Sequence, residues 1–164
     1  QEGTYPLPEA QLDRFLLQVD VGYPDGAAER RMLQATTGTE QTRLSPVLSA
    51  AELMDIQRLV RQMPVPDRVI DGILGLVRSA RPEPNGSREI DQFVTWGPGP
   101  RASQALMMAV RAKALLDGRL APSLDDVIEL SKPVLKHRMA LNFTGRAEKK
   151  DLEEIIDGLS KMAG

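Results

Sequence analysis

Gly97-Pro98-Gly99-Pro100-Arg101-Ala102-Ser103 is the stretch from which the fold is predicted, because it opens a helix that runs on to about Gly118. A first helical residue tolerates proline, since its missing N–H would have no partner there. Pro100 therefore marks the start of this helix. Small and apolar side chains then recur at helical spacing, namely Ala102, Ala105, Leu106, Ala109, Ala112, Leu115 and Leu116.

Arg101 falls in the first turn of this helix, where the helix dipole favours an anion over a cation. A compensating anion is therefore expected near its guanidinium group. A phosphate shared by Arg101 and the helix N-terminus would meet that need. The alternative is a solvated arginine with no special role, and the residues alone leave both open.

The composition indicates a mainly helical chain of 164 residues. Hydrophobic residues make up 41% and aromatic residues only 4%, so the core must be built from aliphatic side chains. The net charge of −2 argues against a general nucleic-acid coat. There is no cysteine, no apolar run long enough to span a bilayer and no visible signal peptide, which predicts a cytoplasmic protein.

The amino-terminal part predicts a short helix over Pro8 to Phe15, then a strand over Phe15 to Val21. A lone strand is not stable by itself. We therefore expect residues 1–24 to be poorly ordered or to pair with a second copy. Because the sequence starts at Gln1 within a loop-like stretch, we also expect it to be a piece of a longer protein.

Further helices follow from local signals. One helix is predicted from Ala27 to Thr36, with Met32 and Leu33 on its inner side. A break in the helical pattern is predicted at Asn142 to Gly145. Ser49 and Ser123 each begin a capping-box pattern, with a carboxylate three residues later. The first capping box opens a helix that is predicted to bury Leu53, Ile56, Val60 and Met63. Three more helices are predicted, namely Asp67 to Ala80, one that starts at Ser123 and is kinked by Pro133, and Arg146 to Met162.

Few residues are suited to chemistry. His137 is the only histidine, which excludes a multi-histidine metal site and favours a structural or surface role. The sequence contains no GxxxxGK[ST] phosphate loop and no strand ending in an acidic pair for magnesium. Lys136 and Arg138 form either a second basic patch or a solvated helix face.

Arg14 is the second candidate beside Arg101. It lies at the end of the short helix, where an arginine interacts favourably with the dipole. Alternatively, it points towards the phosphates of a neighbouring molecule. A planar, permanently charged guanidinium suits the charge that develops on a transferring phosphoryl group.

Three segments resemble the MoxR-type AAA+ ATPases. The run QEGTYPLPEAQLDRF, residues 1–15, resembles a signature segment of the family and is followed, as in the family, by a predicted strand and Gly22-Tyr23-Pro24. Pro100-Arg101-Ala102-Ser103 resembles the sensor 2 motif. Val134-Leu135-Lys136-His137-Arg138-Met139 resembles a late motif of the lid.

This resemblance implies a mainly α fold, the helical bundle lid of an AAA+ ATPase, preceded by one orphan strand from the α/β core. Residues 1–24 would be the remnant of that core, residues 25–48 a connecting helix and insertion, and residues 49–164 the lid. The phosphate loop, the acidic pair and the sensor 1 asparagine of the family would precede Gln1. The chain alone is therefore not expected to hydrolyse ATP or to hold a cofactor tightly.

The resemblance also implies a ring, usually a hexamer, that uses ATP and Mg²⁺ and has a chaperone-like role. Its partners would be proteins that it helps to mature, often von Willebrand A-domain proteins, and not nucleic acid. Arg14 would be the arginine finger that reaches a neighbouring subunit's ATP. Arg101 would be the sensor 2 arginine, which contacts the γ-phosphate. For His137 and Arg138 a structural role stays favoured.

Two other functions remain open at this point. One is a non-catalytic helical module that docks proteins through adaptable methionines, Met107, Met108 and Met139. The other is a nucleic-acid binder that uses Arg111, Lys113 and Arg119. The acidic charge balance weakens the second.

Overall fold

The computed structural model describes Tyr5 and residues 7–39, 44–83 and 87–163. Within them lie nine α-helices, one 3₁₀ turn and two short strands. In chain order these are α1 (Glu9–Leu12), α2 (Gly26–Thr37), α3 (Ala50–Gln62), α4 (Asp67–Ser79), α5 (Arg88–Phe93), β1 (Val94–Trp96), α6 (Pro100–Leu116), α7 (Leu124–Leu135), the 3₁₀ turn (Lys136–Arg138), β2 (Ala140–Leu141), α8 (Phe143–Ala147) and α9 (Leu152–Ala163). The mainly α class is confirmed.

The core lies between α4, α6, α7 and α9. The apolar stripe of α4 is buried as its spacing predicts, although Leu74 on its flank is 45% exposed. Helix α6 packs against both α4 and α7, and its buried alanines Ala102, Ala105 and Ala109 allow close approach. Arg119 donates to both carboxylate oxygens of the buried Asp126, at 2.8 and 2.6 Å, and so joins the end of α6 to the start of α7.

The capping predictions are confirmed. The Ser49 hydroxyl accepts a hydrogen bond from the Glu52 N–H at 3.2 Å, and the Glu52 carboxylate accepts from the Ser49 N–H at 2.7 Å. At the start of α7 the Asp126 carboxylate likewise accepts from the Ser123 N–H, at 2.7 Å. These pairs start α3 and α7 at the predicted residues because capping depends only on residues within one turn.

The predicted strand at Phe15 to Val21 is wrong. The segment is irregular, and the Gln18 N–H donates to the Pro133 carbonyl at 2.8 Å rather than to a neighbouring strand. Its alternating pattern does not bury one face, since Val19 and Val21 are 75% and 90% exposed. Residues 13–20 instead contact the carboxy-terminal helices of the same chain, while residues 1–4 and 6 lie outside the described part.

The inner faces of α2 and α3 are also corrected. Met32 and Leu33 of α2 are about half exposed, and α2 buries none of its side chains. In α3, Val60 and Met63 are buried, but Leu53 and Ile56 are 48% and 39% exposed. Local periodicity indicates which side of a helix is apolar, but it does not say whether another element covers that side.

The second half of the chain differs from the prediction in three places. Asn142 to Gly145 is not a break, because the Asn142 side chain accepts from the Gly145 N–H at 2.8 Å and caps α8. The last helix, α9, starts at Leu152 instead of Arg146. The paired strands β1 and β2, antiparallel with Val94 opposite Leu141, were not predicted because each is only two or three residues long.

None of the helices in the described ranges is both long and apolar enough to cross a membrane.

Candidate functional site

The loop before α6 holds Arg101 in a defined place. A Cβ added at Gly97 would lie 2.7 Å from the Ala80 carbonyl oxygen, so only glycine allows this close approach to the end of α4. Arg81 Nε donates to the Pro98 carbonyl at 2.9 Å. Pro100 then occupies the first helical position, as predicted, and leaves the side chain of Arg101 half exposed.

The anion expected near Arg101 is supplied by the protein itself. Asp13 Oδ2 lies 3.7 Å from Arg101 Nη1, and the Asp13 side chain is 20% exposed. Asp13 directly follows α1 and precedes Arg14. The carboxylate is also near the N-terminus of α6, where the helix dipole favours negative charge.

Arg14 and Arg101 line one open cleft, although they are far apart in the sequence. The cleft has a volume of about 360 Å³ and is bounded by the end of α1, the first half of α6 and the 3₁₀ turn. Three arginines and one aspartate are among its lining residues, so positive side chains outnumber negative ones there, which favours an anion. Its lining residues are Asp13, Arg14, Leu16, Arg101, Gln104, Ala105, Met108 and Arg138.

Arg138, at the base of this cleft, is 1% exposed. Its Nε donates to Asp13 Oδ1 at 3.1 Å, and its Nη2 donates to the Asp13 carbonyl at 3.0 Å and to the Phe15 carbonyl. Its Nη1 donates to the carbonyls of Leu16, at 3.4 Å, and Val134. Burial lowers the pKa of Arg138 from its ordinary value, an effect that Asp13 opposes. Arg138 therefore has the structural role that the sequence favoured, and it forms neither a basic patch nor a solvated helix face.

The two residues before Arg138 bind the same segment. His137 is 8% exposed, and its Nε2 lies 3.1 Å from the Phe15 carbonyl oxygen, so its role here is structural. Lys136 forms ion pairs with Asp20 and, at 3.5 Å, with Glu153 of α9. All three residues of the 3₁₀ turn therefore contact the segment of residues 13–20.

A second cavity, the apolar groove, lies between α3, α6 and the amino-terminal segment. It has a volume of about 510 Å³, and its walls include Leu17, Ile56, Val60 and Met108. The prediction that Met139 is part of a docking surface is wrong, because its side chain is 4% exposed and packs in the core.

Among the residues that the structure describes, no three His, Cys, Asp or Glu side chains lie close enough together to hold a metal ion.

Comparison with known proteins agrees with this architecture. Residues 87–159 match the family model described as the AAA lid domain. The chain is 35% identical over 157 residues to the chaperone MoxR1 of Mycobacterium tuberculosis, covering 95% of this chain and 41% of that protein. It is 36% identical to YeaC of Bacillus subtilis, over 94% of this chain and 46% of that protein. Against MoxR of Methylorubrum extorquens the identity is 30%, over 86% and 45% of the two chains.

A crystal structure of a candidate ATPase from Cytophaga hutchinsonii superposes with a TM-score of 0.90 at 26% sequence identity. The match covers 98% of this chain and 49% of that one. The chain thus spans about half the length of the relatives that it matches.

The helical fold and the match over residues 87–159 define the class, that of proteins with an AAA lid domain. Within that class the chain matches MoxR-type AAA+ proteins along most of its own length and about half of theirs.

Proposed function

We propose that this chain supplies an arginine finger, Arg14, and a sensor 2 arginine, Arg101, to the ATP sites of an oligomeric ring with chaperone-like activity. The observation that carries this proposal is the common cleft, which brings both guanidinium groups to one surface. Membership of the AAA+ class supports nucleotide use by the whole protein. The chaperone name of the relative from Mycobacterium tuberculosis supports the wider role.

The cleft fits part of a triphosphate but not its metal. Arg14, Arg101 and the Gln104 amide offer donors to phosphate oxygens, and the opening leaves room for a group from another molecule. No three His, Cys, Asp or Glu side chains cluster among the described residues, and the one carboxylate in the cleft, Asp13, is paired with Arg138, so we assign the metal no ligands there. ATP, when bound, supplies the phosphoanhydride bond that is broken.

The two arginines have different tasks in this proposal. Arg101, fixed by the Pro100 entry to α6, binds oxygens of the terminal phosphate with its planar fork. Arg14 is also exposed, and it neutralises the charge that develops during phosphoryl transfer at a neighbouring subunit's site. Both are attached to the helical bundle, so phosphate contact turns the lid relative to its neighbours.

The proposed organisation follows from these roles. Residues 1–24 belong to the end of the ATPase core, residues 25–48 connect, and residues 49–164 form the lid. The match over residues 87–159 falls inside the last part. Clients that the ring matures, such as von Willebrand A-domain proteins, are the proposed partners, and a hexamer is the proposed ring.

The test replaces each arginine in the natural protein, purified as assembled rings. We expect Arg14→Ala to lower ATP turnover about 10³-fold or more while nucleotide binding is retained, because an arginine finger acts on the transition state. Arg101→Ala should lower both turnover and affinity.

Arg68→Ala is the matched control, because Arg68 is the exposed second residue of α4 as Arg101 is of α6. Its turnover should equal that of the wild type. Unchanged turnover in Arg101→Ala would remove the sensor role, and lost nucleotide binding in Arg14→Ala would contradict a finger that acts across an interface.

A protein-docking module is the second candidate, and the apolar groove favours it. Ile56→Asp would place a charge in the groove. If client binding is lost in that variant while Arg14→Ala and Arg101→Ala leave ATP turnover and client maturation intact, the docking function is the correct one.

A further inference from the structure

We propose that the 3₁₀ turn Lys136–Arg138 is a clasp that positions Arg14 and ties it to lid helix α7, with Arg138 as the central positioning residue. This inference rests on the proposed function of Arg14. It goes beyond it by naming the residues that hold the finger and the element to which the finger is attached.

The contacts of Arg138 surround Arg14 on both sides. Its guanidinium binds the carbonyl of Asp13, immediately before Arg14, and the carbonyls of Phe15 and Leu16, immediately after it. Because these groups belong to the main chain, they fix the path of the backbone whatever side chains stand there. Arg14 itself is thereby left free to extend outward from a fixed base.

Only arginine can make this set of contacts. A guanidinium has five N–H donors in a rigid plane, whereas a lysine ammonium is a compact point with three. Nε, Nη1 and Nη2 of Arg138 all find acceptors, which offsets the cost of burying the charge. His137 adds a contact to the Phe15 carbonyl, and Lys136 adds the ion pair with Asp20.

The clasp also connects the two proposed phosphate-binding arginines. Asp13 directs Oδ1 to Arg138 and Oδ2 towards Arg101. The base of Arg14, the start of α6 and the end of α7 therefore share one carboxylate. Because Arg138 holds the backbone on both sides of Arg14, a displacement of α7 moves the base of Arg14, so the finger responds to the lid of its own subunit.

The test uses Arg138→Lys in assembled rings of the natural protein. We expect the kcat for ATP to fall at least tenfold, with the dissociation constant of a fluorescent ATP analogue within twofold of the wild type. In the double variant Arg14→Ala/Arg138→Lys, kcat should be no lower than in Arg14→Ala, because Arg138 acts through Arg14. An additive loss would overturn the positioning role.

Val127→Ala is the control for a general loss of stability. Val127 is buried on α7 but makes none of the clasp contacts. At a temperature where both variants are folded, its kcat should match that of the wild type. If Val127→Ala and Arg138→Lys lower kcat equally, Arg138 is only structural.

A second pair keeps the inference testable if Arg138→Lys does not assemble. His137→Ala removes the contact to the Phe15 carbonyl, and His137→Gln retains a donor near the position of Nε2. We expect a severalfold loss of kcat in the first and its rescue in the second. Equal, wild-type kcat in both would contradict the clasp.

The failure of the clasp can be distinguished from the failure of the finger. If Arg14→Ala abolishes turnover while Arg138→Lys is folded and fully active, only the clasp is wrong. If Arg14→Ala is fully active, the finger role fails. Hydrogen exchange then tests the clasp itself, because amides of residues 13–18 should exchange faster in Arg138→Lys, and unchanged exchange would overturn it.

Discussion

Asp13 lies between two guanidinium groups, and its two carboxylate oxygens divide between them, 3.1 Å from Arg138 and 3.7 Å from Arg101. The first pair is largely buried and the second is open to solvent. Since a half-exposed pair is weak, Arg101 can exchange Asp13 for another anion at little cost. Arg138 has no such freedom, because its other donors are bound to carbonyl oxygens in the interior.

His137 gives a pH dependence that can be measured. Burial, with a smaller effect of the neighbouring Arg138 and Lys136, lowers the pKa of His137 from 6.5, although Asp13 and the Phe15 carbonyl oppose this. A buried histidine with a lowered pKa binds its proton less readily than in the unfolded chain. The free energy of unfolding should therefore be highest above about pH 6.5 and fall as the pH decreases towards the lowered pKa.

We expect a slope of at most about 1.4 kcal/mol per pH unit in urea unfolding between pH 7.5 and 5.5. His137→Gln does not titrate and should flatten this slope. The pKa of Asp126 is lowered from 3.8, so its effect on the free energy of unfolding falls at pH values below this window. A slope that persists in His137→Gln would show that another group causes it.

At the scale of elements, the path from α4 to α6 depends on a close approach that tolerates no side chain. A Cβ at Gly97 would meet the Ala80 carbonyl oxygen at 2.7 Å, Pro82 Cδ at 2.8 Å and Arg81 Cα at 2.9 Å. Two of these atoms are main chain and the third belongs to a proline ring, so none can yield by a change of rotamer. We expect Gly97→Ala to destabilise the protein by about 1–3 kcal/mol.

Gly75→Ala is the matched comparison, measured by the same chemical denaturation. Gly75 is exposed within α4, and an added Cβ would meet nothing within 4 Å. Alanine favours a helix interior, so this variant should gain about 0.5–1 kcal/mol. Similar effects at both positions would refute the close approach at Gly97.

At the scale of the whole molecule, packing is uneven. Helices α4, α6, α7 and α9 share the core, whereas α2 buries no side chain and leaves Met32 and Leu33 about half exposed. Local opening costs little free energy where few apolar contacts are lost. We expect hydrogen exchange of the α2 amides in this chain to be at least 100-fold faster than exchange of the α6 amides.

In assembled rings, protection of α2 should rise if a neighbouring element covers it. Equal protection of α2 and α6 in the isolated chain would show that α2 is held by contacts other than those described. Hydrogen exchange in α3 can be compared with that in α2. Leu53 of α3 is about half exposed like Met32 and Leu33 of α2, but the end of α3 is held by the buried Val60 and Met63.

The sequence by itself determined the helices that have local start signals, among them α3, α6 and α7. Ser49, Pro100 and Ser123 act within one turn, so neighbouring residues carry the whole signal. The sequence also indicated Arg14 and Arg101 as candidates. It favoured a structural role for Arg138 but gave neither its burial nor its partners, because a cation within Lys136-His137-Arg138 is indistinguishable by composition from a solvated one.

Only the tertiary structure decided that Arg14 and Arg101 share a cleft, that Phe15 to Val21 is not a strand, and that Arg138 is buried. Each of these outcomes depends on a contact between distant parts of the chain, such as Asp13 with Arg138, 125 positions apart. Backbone groups must find partners, but the sequence pattern does not say which ones. Here the side chains of His137 and Arg138 bind the carbonyl groups of Phe15 and Leu16, which in a sheet would have been bound by a neighbouring strand.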